Sequence, residues 1–321
     1  MRYQFLIGLV LTFLFGFGFI CFANCPIAYA ESHIAKSPIE IVTTTADLKS
    51  LVEVVGGERV RVTSLLPPNQ DPHAFEPKLS DRQAIQKAQL IVRIGLDHDI
   101  WLEPILKEVK NPDLQRGSNG YVDASNGIAV LEAKSLSLAP ANGHDHGAGN
   151  PHYWLDPLNA EAITGTIEEG LIRIDPDRAE TYALNRDRFI TELKERVKIW
   201  SDRLLPYRGN AIAVYHNSWP YLARRFRLKT IGYIEPKTGV PPSPTHLSKL
   251  VRQIKEQNKE QNVVVIIKEP YESDNITRYL DRATGSKTLT LAASVGAIPE
   301  AKDYLSLFEY DVGKLVESFS K

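Results

Sequence analysis

From Pro38 onward the chain alternates short β-branched runs with longer stretches whose apolar residues recur every three or four positions. That alternation is the signature of parallel α/β units. Ile39 to Thr44 predicts a strand, Asp47 to Val55 a helix and Arg59 to Leu65 a second strand. Ser80 is placed as the N-cap of a helix running through Ala88, and Leu90 to Ile94 as a third strand ending at Gly95. Between Asn119 and Pro151 the pattern fades, and Ala139 to Asn150 reads as a low-complexity loop. A helix follows Leu158. Asp175 and Pro176 then supply an N-cap with proline at the first helical position, opening an unbroken helical pattern to about Leu205. Along it Tyr182, Phe189, Leu193, Val197, Trp200 and Leu204 form one narrow apolar stripe. About thirty residues at 1.5 Å each span roughly 45 Å, more than one small α/β lobe needs, so this helix is expected to bridge two lobes. Beyond it come strand Asn210 to Tyr215, helix Trp219 to Phe226, a Pro-rich loop from Glu235 to Pro244 and helix Thr245 to Asn258. Strand Asn262 to Lys268 is the most apolar of the chain and belongs at the centre of a parallel sheet. Helix Asn275 to Thr284, strand Lys287 to Leu291 and a C-terminal helix complete the pattern.

The first thirty residues stand apart. Met1 and Arg2 precede an uncharged apolar run from Phe5 to Phe22, and Ala28, Tyr29 and Ala30 offer a small-x-small site for cleavage before Glu31. Residues 1–30 are therefore expected to be a secretory signal, with a permanent anchor as the alternative. Both cysteines, Cys21 and Cys25, lie within it, so a chain cut there holds no disulfide. Cys25 is also weighed as a lipid-attachment site, although Asn24 before it is larger than the usual small residue. The 321 residues carry 38 basic and 39 acidic side chains and are 43% hydrophobic. This is an ordinary globular balance, which argues against nucleic acid as a partner. The segments follow as 31–175 for a first lobe, 176–206 for the linker helix and 207–321 for a second lobe.

Chemistry centres on histidine. Of eight, His73, His152 and His216 fall in loops beside or just beyond strand ends, where open α/β sheets bind ligands. Neutral imidazole suits Zn²⁺, and three imidazoles leave one position of a tetrahedral site for a carboxylate or water. Spacings of 79 and 64 residues are not themselves a metal motif, and each histidine alone reads more readily as a satisfied surface or packing residue.

Asp71-Pro72-His73 with Phe75-Glu76-Pro77, then Asn150-Pro151-His152-Tyr153-Trp154-Leu155-Asp156-Pro157, then Tyr215-His216-Asn217-Ser218-Trp219-Pro220, occur in order along the chain. They resemble the three histidine motifs of the zinc/manganese-type solute-binding proteins, the cluster A-I components of metal ABC importers. The likeness runs from about Ile39 to Leu315, and the turn Glu53 to Val60 shares it. The resemblance implies two α/β lobes, each with a mostly parallel sheet flanked by helices, joined by one rigid helix, with the metal in the cleft. It places His73 and His152 in the first lobe and His216 in the second. It implies a periplasmic location, a membrane permease and an ATPase as partners, and a monomer. Manganese- and iron-type members tend to carry a carboxylate at the third position; His216 there favours Zn²⁺, with Mn²⁺ or Fe²⁺ left open. At the fourth position Ala293 stands where the family has an aspartate, leaving water or Glu269 to complete the set, with water preferred.

Asp71 is expected to form a turn and Asp156 to cap or to support a ligand. His98, at a strand end, is weighed as lining the cleft but is not counted among the ligands. His144 and His146 form a short polar loop with a weak claim on metal, His246 belongs to a helix start and His33 to the N-terminus. Two readings from other classes compete: a zinc hydrolase or hydratase, since three histidines and water also make a catalytic site, and a surface adhesin with a stabilising metal. Against an enzyme, the chain lacks HExxH, a nucleophile elbow and a P-loop.

Overall fold

The computed structural model describes residues 37–132, 149–259 and 264–320. The expected signal and anchor with Cys21 and Cys25, as well as His33, His144 and His146, lie outside the described residues. From Ser37 the chain forms one compact unit. Strands β1 (Ile39–Thr43), β2 (Val60–Ser64), β3 (Leu90–Arg93) and β4 (Tyr121–Asp123) pair in parallel in the order β2-β1-β3-β4. Strands β5 (Ala211–Val214), β6 (Lys229–Tyr233), β7 (Val265–Lys268) and β8 (Lys287–Thr290) repeat this arrangement as β6-β5-β7-β8, also parallel. The crossovers of the first sheet are α1 (Ala46–Gly56), α2 (Leu79–Lys87) and α3 (Leu102–Val109), and α4 (Ala160–Ile174) packs beside β4. In the second, α6 (Pro220–Phe226), α7 (Pro244–Lys259) and α8 (Asp274–Thr284) connect the strands, and α9 (Tyr304–Phe319) closes the chain.

The long helix α5 (Ala179–Leu204) is shorter at both ends than its sequence pattern, because single 3₁₀ turns occupy Pro176–Arg178 and Leu205–Tyr207. Asp175 does not cap it: the carboxylate accepts instead from Arg59 Nε at 2.7 Å and from the Tyr182 hydroxyl at 2.9 Å. Ser80 is likewise not an N-cap. The α2 helix starts two residues earlier, because Asp81 accepts from the Lys78 amide at 2.7 Å and closes the first turn from there. The edge strands β4 and β6 and the helix α3 are absent from the sequence expectation. β4 spans three residues, and β6 is half exposed with Gly232 inside it, so neither carries an apolar run that stands out.

The predicted stripe of α5 is buried, with Ile190 added to it, and packs on α1, α4 and α9. Trp200 meets Phe308 at 5.5 Å between ring centres. One continuous apolar cluster thus runs from Ile39 and Val92 of the first sheet through Trp200 to Val214 and Ile267 of the second. Separate clusters fill the opposite face of each sheet. Hydrogen bonds fasten the lobes across the cleft. Trp154 Nε1 donates to the Ala293 carbonyl at 2.9 Å, the Tyr304 hydroxyl to the Trp154 carbonyl at 2.6 Å, and the Tyr221 hydroxyl to the Asn150 carbonyl at 2.9 Å. Fully buried Asp156 accepts the Leu158 amide, as its expected capping role requires, and pairs with Arg225 at 2.6 Å and 2.9 Å. No helix among the described residues is long and apolar enough to cross a membrane.

Candidate metal centre

In each sheet the strand order reverses between its two central strands, β1 and β3 or β5 and β7. The crevice outside their carboxyl ends is where open α/β sheets hold ligands. The loops there bring His73, His152 and His216 together: one nitrogen from each lies within 4.8 Å of the other two. His73 is presented by a 3₁₀ turn over Pro72–Ala74, whose start is fixed when Asp71 accepts the His73 amide at 2.9 Å, the turn-forming role expected of it. His73 is exposed, whereas His152 and His216 are buried.

The two buried rings are oriented by their neighbours. Asn150 Oδ1 accepts the His152 amide at 3.0 Å and lies 3.1 Å from His152 Nδ1. Because the Asn150 amide nitrogen donates to the Asn217 carbonyl at 2.9 Å and to Glu132 at 3.2 Å, its oxygen must face the ring. An oxygen there can only accept, so Nδ1 carries the proton and Nε2 keeps its lone pair. His216 Nδ1 lies 2.5 Å from Glu235 Oε2, which sets the same tautomer and leaves the buried Nε2 without a protein partner. A carboxylate behind an imidazole raises its basicity as a metal ligand. Burial alone lowers the His216 pKa, but the Glu235 hydrogen bond and the charges of Glu269, Glu235 and Asp71 outweigh it and raise the pKa above its ordinary value.

Glu269 follows β7 directly and is fully buried. Its Oε1 accepts from Trp219 Nε1 at 2.9 Å, and its pKa is raised by burial against the opposing charge of His216. It is not among the clustered ligand atoms. Glu272 feels the same crowding: burial, then repulsion by Glu269, Glu235 and Asp71, pushes it up to about 7. The second-lobe wall of the cleft is therefore acidic, which attracts a cation.

His98, set aside as a ligand in the sequence, is buried and stands 5.7 Å from His152 and 6.2 Å from His73 between ring centres. It shares a small cavity of about 30 Å³ with His152, Trp154, Ser218 and Ala293. Its place in the turn that follows β3 was the signal for it. Glu235 was invisible because the strand before it, β6, was not recognised. His246 sits in the first turn of α7, as expected, and its Nε2 lies 2.8 Å from the Tyr233 carbonyl.

Two α/β lobes sharing a core, with an imidazole-lined crevice at their strand ends, define an extracytoplasmic solute-binding protein that takes up a small cationic ligand, not an enzyme. Residues 41–318 match the family described as ZnuA, the periplasmic component A of the zinc-uptake complex, and the chain belongs to that family of metal ABC-transporter components. It is 28% identical to the manganese-binding lipoprotein MntA of Halalkalibacterium halodurans over 68% of each chain. It is 26% identical to the high-affinity zinc uptake protein ZnuA of Bacillus subtilis, over 87% of each. A crystal structure of ZnuA superposes with a TM-score of 0.74 at 26% identity, covering 88% of this chain and 99% of that one. The family works with permease and ATPase subunits and binds divalent metals.

Proposed function

We propose that the cargo is Zn²⁺, held by His73, His152 and His216 and passed to the permease and ATPase of its importer. The observation that carries this reading is the all-nitrogen cluster: three imidazole nitrogens within 4.8 Å of one another, with no carboxylate oxygen among them. Two ligand atoms at 2.0–2.1 Å from a tetrahedral ion stand about 3.4 Å apart, so modest ring movements complete the geometry. Mn²⁺ prefers oxygen donors, whereas imidazole suits Zn²⁺. The zinc uptake relative supports the same cargo; the manganese-binding relative keeps Mn²⁺ as the second reading. Export through cleavage after Ala30, a tether through Cys25 as its alternative, lobes at 31–175 and 207–321 around a linker at 176–206, and a monomeric state belong to the same proposal.

Titration of the metal-stripped protein against a chromophoric chelator tests it, with Zn²⁺ and Mn²⁺ side by side and with His216→Ala. One tight equivalent of Zn²⁺, weakened at least about tenfold by the substitution and poorly displaced by Mn²⁺, is expected. Equal affinity for Mn²⁺, or Zn²⁺ binding indifferent to His216, overturns it.

A further inference from the structure

We propose that His98 supplies a fourth imidazole to this centre, in the place where Ala293 offers no carboxylate; the inference rests on the three-histidine reading above. Two imidazoles on one tetrahedral ion, each with its nitrogen 2.0–2.1 Å from the metal, stand roughly 5 Å apart between ring centres. His73 and His216 are already at 5.1 Å, and His152 and His216 at 5.4 Å. His98 lies 5.7 Å from His152 and 6.2 Å from His73, both closer than the 6.3 Å that separates His73 from His152. By ring spacing His98 stands beside His73 and His152 as closely as those two stand to each other.

Space and chemistry agree. The cavity of about 30 Å³ that His98 shares with His152 and Ala293 holds about one small group, which leaves open space beside the ring. Glu269, the other claimant, has one oxygen engaged by Trp219 and acts on the site through its charge; neither it nor His98 is among the atoms already clustered within 4.8 Å, so the His98 ring must turn to reach the ion.

The chain also holds His98 in place at some cost. Gly95, Leu96 and Asp97 all have positive φ, at 74°, 50° and 62°, and a left-handed backbone costs an L-residue such as Leu96 roughly 1–2 kcal/mol. A side chain at Gly95 would add to this strain and force Asp123 to shift, because a Cβ would meet Asp123 Oδ1 at 2.4 Å. The turn is fastened by fully buried Asp99, which accepts from Ile94 N at 2.8 Å and from Arg93 Nε and Nη2 at 2.9 Å and 2.6 Å. Strain of this kind persists where its surroundings over-determine it, as at ligand clamps. Its product is a buried imidazole set edge-on to Trp154, 5.2 Å away, beside the metal cluster.

A fourth nitrogen makes a closed tetrahedral set that hard ions use poorly, so His98 is also a determinant of selectivity. The test measures Zn²⁺ affinity of the full chain and of His98→Ala, His98→Gln and His216→Ala, with zinc K-edge X-ray absorption counting imidazoles on the bound ion. The melting temperature of each metal-free variant establishes that it folds. The expected result is four imidazoles in the parent and three plus a light oxygen donor in both His98 variants. Zn²⁺ affinity falls at least about tenfold in them, and Mn²⁺ affinity falls less. Three imidazoles in the parent overturn the proposal, as does an affinity unmoved in both His98 variants. A lower affinity with an unchanged count also overturns it, since His98 then only supports the fold around the site. If His216→Ala abolishes tight binding while the His98 variants keep it, only the fourth ligand fails; if His216→Ala keeps it, the underlying reading fails.

Discussion

Asp47, at the start of α1, reaches across to the second lobe, where its Oδ1 accepts the Val295 amide at 2.9 Å and its Oδ2 the Ser294 hydroxyl at 2.7 Å. It is fully buried and faces no basic side chain in these contacts. Burial raises its pKa from 3.8 to about 6, against the lowering effect of those two hydrogen bonds. A carboxyl group whose native pKa lies above its unfolded value binds more protons when folded. Stability therefore falls as pH rises through the window from about 4 to 6, and the loss is complete above it. A shift of roughly two units corresponds to about 3 kcal/mol of penalty on the ionised form. Asp47→Asn removes the charge and keeps a carbonyl for Val295, while the Ser294 hydroxyl can accept from the new amide. The stability difference between variant and parent should thus move in the variant's favour by about 2 kcal/mol between roughly pH 4.5 and pH 8, the share of the titration inside that interval. Urea unfolding of the metal-free protein, followed by tryptophan fluorescence and read only if the m-value is unchanged, measures it. Other acids titrate identically in both chains and cancel. A difference independent of pH, or one that grows toward acid, refutes the reasoning.

Glu235→Gln leaves a hydrogen-bond acceptor on His216 Nδ1 but removes the charge behind it, and Zn²⁺ affinity at neutral pH should fall about 10–100-fold in a chelator competition. Arg225→Ala leaves the buried Asp156 carboxylate with the Leu158 amide and, as a cation, only the distant Arg224 at 3.6 Å. Because Arg225 is partly exposed, the loss should be on the order of 2–3 kcal/mol, below that of a wholly buried pair, in denaturant titrations near neutral pH. Trp200→Ala empties the centre of the shared core and should cost about 3–5 kcal/mol, with a single unfolding transition retained; two separate transitions would show that the lobes do not share it.

The lobes, the linker helix and six of the eight strands were legible in the sequence: the central strands and the long helix carry their burial as an apolar run or stripe, and the edge strands β2 and β8 carry β-branched residues in alternation. The other two edge strands were not, because β4 is only three residues long and Gly232 interrupts β6. The Ser80 cap failed for a related reason, since a carboxylate three residues past Lys78 closed the first turn ahead of it. His73, His152 and His216 were found through motifs, but their tautomers were set by Asn150 and Glu235, contacts that only the fold reveals. His98 shows the limit most clearly. Its neighbours along the chain say nothing of His152, 54 positions away, which lies 5.7 Å from it.

Of the three motif histidines only His73 faces solvent, and it rides on a loop outside the core that both sheets share. On the proposed reading, escape of the ion is therefore a ligand-exchange reaction, with water entering at His73 while the buried rings hold on. The residence time of the cargo is then governed by one surface turn, and a transporter that grips this turn can trigger unloading without prising the two halves apart.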